Sequence, residues 1–168
     1  MPPPAHRAAS TPMPECRRLT VDDLTALVDL EQRAQPLGWT EDALLLELVH
    51  DDAVVLGRHE NGAMVAYCVV RSILDERWIL NIATDPGHRR RGHADALLTA
   101  AAQLDLSTSS APATSMWLEV RASNLPAQAL YQRHGFVVVG RRPGYYPPLP
   151  GGDAQRETAL VMRRALTD

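Results

Sequence analysis

The run Trp78-Ile79-Leu80-Asn81-Ile82-Ala83-Thr84 is strand-like, and a helix-like stretch from Ala94 to Leu104 follows it. Between them lies Arg89-Arg90-Arg91-Gly92-His93-Ala94, and this succession restricts the chain more than any other segment. A strand that passes through a short glycine-bearing loop into a helix belongs in a layered fold of sheet and helices. The same loop is suited to an anion, because free N–H groups at a helix start point outward and the helix dipole adds positive charge there. Gly92 tolerates unusual φ and has no side chain to hold a phosphate away from the backbone. The pattern Arg-x-x-Gly-x-Ala is neither the dinucleotide fingerprint nor an ATP-binding loop with Gly-Lys-Ser/Thr. Three consecutive arginines also fit a plain solvated surface, and the spacing alone leaves that reading open.

The rest of the chain supplies partners for that unit. Thr20 and Asp23 form a capping-box variant ahead of a helical period through Val21, Leu24, Leu27, Val28 and Leu30-Glu31 to about Arg33. Pro36 and Gly38 break the period, and Thr40 opens a second helix through Leu48-Val49. Strands are expected at Ala53 to Leu56, Val65 to Ile73, Arg77 to Thr84, Met116 to Val120, Phe136 to Val139 and Thr158 to Met162. Glu60-Asn61-Gly62 signals a hairpin. Leu106 to Ser115 and the proline- and glycine-rich Pro143 to Gly152 read as loops. Asn124 and Pro126 start a last helix, and Gly135 ends it. The pattern is a mixed sheet with helices on its faces, an α/β (α+β) class.

Composition narrows the function classes. A chain of 168 residues, 45% apolar and 22% charged, suffices for one domain with a core. A net charge of −3 and a pI of about 6.1 give no bulk attraction to nucleic acid or membrane. The basic clusters Arg89 to Arg91 and Arg141-Arg142 suit a localised anion better than a polyanion track. Cys16 and Cys68 fit no metal or redox spacing, and neither do the histidines, so no metal is assigned. Cys68 is expected to be a buried thiol, which accords with a reducing, cytoplasmic setting. Residues 1–14 are rich in proline and alanine without the apolar stretch of a signal peptide, and are expected to form a disordered tail ahead of a domain over 15–168.

Several segments together resemble the GNAT superfamily of acetyl-CoA-dependent N-acetyltransferases. They are Leu30-Glu31-Gln32-Arg33-Ala34, Asn81-Ile82-Ala83-Thr84-Asp85-Pro86, the arginine–glycine loop, Leu118-Glu119-Val120-Arg121-Ala122-Ser123-Asn124, Ala129 to Phe136, and Tyr145-Tyr146-Pro147. Within the superfamily the chain is most similar to the bacterial ribosomal-protein-alanine (RimI-type) N-acetyltransferases, from about Leu24 to Met162. The resemblance implies a single GNAT-like domain with a mostly antiparallel seven-stranded sheet and about four flanking helices. It implies acetyl-CoA as cosubstrate and a protein N-terminal amine as acceptor, the alanine of a small-subunit ribosomal protein.

The residues themselves permit that chemistry. Forming an amide from a thioester needs a neutral amine, a polarised carbonyl and a proton for the departing thiolate. Glu119 stands in an apolar strand-like run, a setting that suits a base, although a solvent-facing strand glutamate fits the pattern too. Tyr131 is a phenol that donates at neutral pH, or a core aromatic between Leu130 and Phe136. The resemblance assigns Glu119 as general base and Tyr131 as general acid. It also assigns Asn124, by itself a plain N-cap, to coenzyme A. Ile82, Ala83 and Thr84 would pair with the pantetheine arm, and the loop of Arg89, Arg90, Arg91, Gly92, His93, Ala94 and Asp95 would hold the pyrophosphate. Leu37, Gly38, Trp39, Tyr145 and Tyr146 would surround the acceptor; the tyrosines fit packing or loop roles as well. Ala94 stands where many relatives carry glycine, and Pro143-Gly144 and Thr158 depart from the family pattern. Two alternatives remain at this level: a GNAT acting on lysine side chains or small amines, and a non-catalytic acyl-CoA- or RNA-binding module.

Overall fold

A computed structural model of the chain describes residues 15–104 and 112–166. The expected tail 1–14 and residues 106–111 of the expected loop lie outside the described residues. The described residues begin with β1 (Cys16–Arg18), a 3₁₀ turn (Val21–Asp23), α1 (Leu24–Ala34) and α2 (Glu41–Val49). Three strands follow: β2 (Ala53–Glu60), β3 (Ala63–Ile73) and β4 (Glu76–Thr84). Then come a 3₁₀ turn (Pro86–His88), α3 (His93–Ala102), β5 (Ser115–Arg121), α4 (Leu125–Arg133), β6 (Val137–Tyr146) and β7 (Glu157–Ala165). One sheet holds all seven strands in the order β1-β2-β3-β4-β5-β7-β6. Every neighbouring pair is antiparallel except β4 and β5, which run parallel through the crossover helix α3. The expected mixed, mostly antiparallel seven-stranded sheet with four helices is therefore what the described residues form.

Local chemistry sets the helix ends. The Thr20 N–H donates to Asp23 Oδ2 at 2.9 Å, Thr40 Oγ1 accepts from the Ala43 N–H at 3.3 Å, and Asn124 Oδ1 accepts from the Ala127 N–H at 3.2 Å. Each bond satisfies a donor that a helix start leaves without an intrahelical partner. The chain leaves α4 through Gly135 at φ +81°, a left-handed conformation that glycine adopts without strain.

Several elements differ from the sequence reading: β2 runs on to Glu60, β7 spans Glu157–Ala165, β1 is an added strand, and β6 is longer. β1 is only three residues long and mostly exposed, so it carries no alternation to detect. β6 continues through Pro143 and Gly144 to Tyr146, where the sequence suggested a loop from Pro143. β6 is an edge strand, and a proline costs little where no neighbour needs its missing N–H.

Helices cover the sheet on both faces. Leu97, Leu98 and Ala101 of α3 and Tyr131 of α4 pack with Leu56, Val70, Ile79, Met116, Leu118, Val120 and Phe136. On the other face Leu27 and Leu30 of α1 and Leu44 of α2 pack with Val55, Tyr67, Val69 and Ala83. Each fully buried aliphatic side chain contributes about 1.5–3 kcal/mol through removal from water. Cys68 is buried as expected, and burial pushes its thiol well above the ordinary range.

Arg77 pins α3 to the sheet. This buried arginine donates to the carbonyls of Ala101, Ala102 and Leu104 at 2.9, 2.8 and 2.7 Å. It closes a helix end whose last carbonyls have no intrahelical donor. We expect Arg77→Met to lower stability by about 2 kcal/mol or more, because buried acceptors are left unsatisfied. A lower urea midpoint with unchanged slope measures it, and an unchanged midpoint would refute this account.

Candidate active site

β4 and β5 stay paired only from Glu76↔Ser115 to Ile79↔Leu118. Beyond that point β4 keeps its ladder with β3 as far as Thr84↔Ala66, while β5 stays with β7. The parting has a local cause. Ile79 pairs with Val70 and Asn81 with Val69, so Leu80 is the extra residue of a bulge. Ile79 faces the α3 side, whereas Leu80 packs against the α1 core and Asn81 hydrogen-bonds to Glu31 of α1. Two successive side chains on one face are the consequence of a bulge, which also bends its strand. The result is a cleft of about 600 Å³, with the β5-facing backbone edge of β4 beyond Ile79 outside the β4–β5 ladder.

Side-chain alternation decides what enters the cleft. Leu118 and Val120 sit in the core with α3 and Tyr131, so Glu119 between them points to the opposite face. Glu119 and Tyr131 thus approach from opposite faces of the sheet and meet at the slot between the parted strands, where both line the cleft. The Glu119 side chain is 15% exposed; Arg142 Nη1 donates to its Oε1 at 2.9 Å and Tyr145 hydrogen-bonds to it. Burial, reinforced by the nearby Cys68, pushes the Tyr131 phenol well above its ordinary range. It stays a proton donor across the neutral range.

The arginine–glycine loop takes a different shape from a simple cationic patch. Arg90 and Gly92 lie at φ +62° and +80°, and Gly92 is the N-cap of α3 without any side-chain cap. Its cap position therefore contributes no side chain against the first-turn N–H groups, the arrangement that binds anions. The arginine side chains are largely occupied. Arg89 donates to the carbonyls of Ala34 at 3.0 Å and Thr84 at 3.4 Å, and Arg91 lies 3.6 Å from Glu60. His93 is buried, its Nδ1 accepting from Arg58 Nε at 3.2 Å, so its side chain is turned into the fold. Asp95 pairs with His134 at 3.1 Å and Arg133 at 3.6 Å.

Of the residues singled out from sequence, Leu37, Trp39, Ile82, Glu119, Asn124, Tyr131 and Tyr146 line one cleft. Gly38, Ala83, Thr84, Tyr145 and the 89–95 loop lie outside its lining among the described residues. Gly38 lies against a buried carboxylate: a Cβ there would come within 2.8 Å of Glu31 Cγ. Sequence reasoning missed Glu31, Gln35, Tyr67 and Asn81, which join in one hydrogen-bonded group, and Arg121 and Glu157, which hold the late hairpin. Arg121 Nη1 donates to Glu157 Oε2 and to the Pro147 carbonyl, both at 3.0 Å, with its guanidinium 4.5 Å from the Tyr146 ring centroid. The signal for Glu31 was its helical phase, on the same stripe as Leu27 and Leu30.

Among the described residues no group of three or more His, Cys, Asp or Glu side chains is placed to hold a metal ion, and no helix is long and apolar enough to cross a membrane.

The chain matches the model of the acetyltransferase (GNAT) family over residues 24–136. It is 37% identical over 144 residues to the [ribosomal protein bS18]-alanine N-acetyltransferase of Escherichia coli (strain K12), covering 86% of this chain and 92% of that one. The crystal structure of the ribosomal-protein-S18-alanine N-acetyltransferase from Escherichia coli superposes with a TM-score of 0.81 at 33% identity, over 93% of this chain and 96% of that one. Arabidopsis thaliana NAA60, solved in complex with acetyl-CoA, shares the fold with a TM-score of 0.74 at 19% identity, over 90% and 97%.

Asp85 fixes the turn that leads from β4 into the loop. Its carboxyl is held down to about 2 by hydrogen bonds from His88 and Arg33, with the Gly87 N–H adding to them. A depressed carboxyl stabilises the fold above its unfolded pKa, about 3.9, and that contribution is lost as the pH falls through about 2. The stability difference between the wild type and Asp85→Asn should therefore be full above about pH 5 and shrink toward pH 2. Urea midpoints across that range test it, and a difference independent of pH would contradict it.

Proposed function

Because this chain belongs to the acetyltransferase (GNAT) family, we propose that it transfers acetyl from acetyl-CoA to a protein N-terminal amine, that of the alanine of ribosomal protein bS18. The observation that carries this reading is the slot at the β4–β5 parting, lined from one face by Glu119 and from the other by Tyr131. The domain spans 15–168, the compartment is the cytoplasm where ribosomal proteins are made, and neither direct nucleic-acid nor membrane contact is needed.

The cofactor would lie along the parted strand. Backbone groups of Ile82, Ala83 and Thr84 on the β5-facing edge of β4 pair with the pantetheine amides as a missing strand would. The first-turn N–H groups of α3, with the loop of Arg89, Arg90, Arg91, Gly92, His93, Ala94 and Asp95, hold the pyrophosphate. Ala94 and Asp95 contribute through the backbone. Asn124 uses its Oδ1 on the Ala127 N–H, which leaves its Nδ2 for coenzyme A. The acceptor enters between the Leu37-Gly38-Trp39 connection and the hairpin of Tyr145 and Tyr146.

The amine nitrogen attacks the thioester carbonyl carbon, and the C–S bond breaks as the amide forms. Glu119 takes the amine proton, directly or through one water. An α-ammonium has a reference pKa of about 7.7–8.0, so a carboxylate has a modest task. Arg142 and Tyr145 occupy part of the Glu119 carboxylate and hold it in place, while its remaining lone pairs face the cleft. Tyr131 gives its proton to the departing thiolate.

Three variants test the reading. Glu119→Gln and Tyr131→Phe should each lower kcat on an alanine-starting peptide by about 10²–10⁴-fold with the fold retained. Undiminished turnover in both would remove the mechanism. A peptide with a blocked α-amine and a free lysine should stay unmodified by mass; its acetylation would move the acceptor to side chains. Gly92→Ala has open space for its Cβ, so its cost without ligand is conformational, about 1–2 kcal/mol. Calorimetry should show acetyl-CoA binding weakened on top of that, and unchanged affinity would displace the pyrophosphate from this loop.

A further inference from the structure

Glu31 is a carboxylate inside the fold, 1% exposed, on the face of α1 that otherwise carries leucines. Its Oε2 accepts from the Tyr67 hydroxyl at 2.6 Å and from Gln35 Nε2 at 3.3 Å. Its Oε1 accepts from Asn81 Nδ2 at 3.0 Å and from the backbone N–H of Trp39 at 2.8 Å. The group closes on itself: Asn81 Nδ2 donates to the Tyr67 hydroxyl at 2.7 Å, and Gln35 Nε2 donates to Asn81 Oδ1 at 2.7 Å. Every partner of the carboxylate is a donor, which matches its acceptor-only chemistry. Burial, and then Glu31 itself, pushes the Tyr67 phenol far above its ordinary range, so the hydroxyl keeps its proton.

The positions of these partners matter more than their number. Asn81 stands immediately after the bulge that parts β4 from β5. Trp39 and Gly38 belong to the α1–α2 connection, whose Leu37 and Trp39 line the cleft. One buried carboxylate therefore touches both walls. The two walls are not equally secured. β4 is held along its length by the ladder to β3, whereas the Trp39 end of the connection is tied through its N–H to Glu31. Gly38 permits that tie, since any side chain there would meet Glu31 at 2.8–3.0 Å.

We propose that Glu31 is a positioning residue that registers the acceptor-side α1–α2 connection against strand β4, with Gly38, Tyr67 and Asn81 as its required neighbours. The inference rests on the acetyltransferase reading for its kinetic consequence, not for its geometry. Losing the carboxylate frees the connection and leaves the strand in place. Acceptor recognition should therefore suffer while cofactor binding does not.

The test uses the full chain and four variants. Glu31→Met removes all the acceptor atoms at similar volume, and Gly38→Ala forces the connection and the retained carboxylate apart. Tyr67→Phe removes one donor, and Glu31→Gln restores an oxygen that can face Trp39. With an alanine-starting peptide, Glu31→Met and Gly38→Ala should raise the acceptor KM by about tenfold or more, with the Kd for acetyl-CoA changed by less than about twofold. Tyr67→Phe should fall between, and Glu31→Gln should recover most of the loss. Parallel changes in both constants, or a lowered Tm with both constants unchanged, would overturn the proposal. Hydrogen exchange of the Trp39 amide needs no substrate and separates the two readings. Faster exchange in Glu31→Met supports the positioning role even if the wild type leaves the peptide unmodified, an outcome that would sink only the acceptor assignment. Unchanged exchange overturns the positioning role in either case.

Discussion

The separation of β4 from β5 after Ile79 and Leu118 is the constraint on which the rest of the molecule turns. A parallel pair that stayed zipped to its end would close the sheet and leave no slot. One extra residue, Leu80, prevents this by bending β4 toward the side of β3 and away from β5. The unzipped edge offers a row of backbone donors and acceptors, normally a liability for a sheet. Here the edge lies inside a cleft, next to a helix start, where an extended ligand with amide groups can complete it.

The slot also explains how two side chains from opposite faces can line one cleft. In an intact sheet Glu119 and Tyr131 would be separated by the backbone layer. Because the layer is open there, a carboxylate on the α1 side and a phenol on the α3 side both face it. Neither cysteine lines this cleft: Cys68 is buried with its thiol held protonated, and Cys16 lies on the outer strand β1.

Much of this was legible in the sequence because it depends on local patterns. Strand alternation, caps at Thr20, Thr40 and Asn124, and the glycine loop before α3 all follow from chemistry within a few residues. Glu119 and Tyr131 were recognisable through their motif, and the structure brings both to one cleft. What escaped depends on distant partners. Nothing near Glu31 in the chain announces Tyr67 or Asn81, which reach it from two other strands. The partners of the arginine side chains were equally illegible. Their clustering suggested charge for a ligand, yet Arg89 braces the end of α1 and Arg91 faces Glu60. The loop's capacity for an anion rests more on its backbone, with Arg90 and Gly92 both left-handed, than on side-chain charge.

The late hairpin shows how the fold accommodates the departures from the family pattern. Thr158 stands where the pattern leads one to expect an acidic residue, but Glu157 beside it supplies the carboxylate. Its Oε1 accepts from the Ser123 N–H at 2.7 Å and its Oε2 from Arg121 at 3.0 Å. Arg121 in turn holds the Pro147 carbonyl and lies over Tyr146, so the hairpin is tied to the end of β5 just beyond Glu119. Thr158 contributes through its backbone, accepting from the Ala122 N–H at 3.0 Å. Pro143 and Gly144 fall on the edge strand β6, and the bend at Gly144, φ +60°, is held by Arg156 donating to the Gly144 carbonyl at 2.7 Å. The hairpin can therefore vary in sequence while Glu157 and Arg121 hold it against the sheet. Glu31 ties the α1–α2 connection in the same way, and Glu119 on β5 and Tyr131 on α4 stay where the sheet and its core put them.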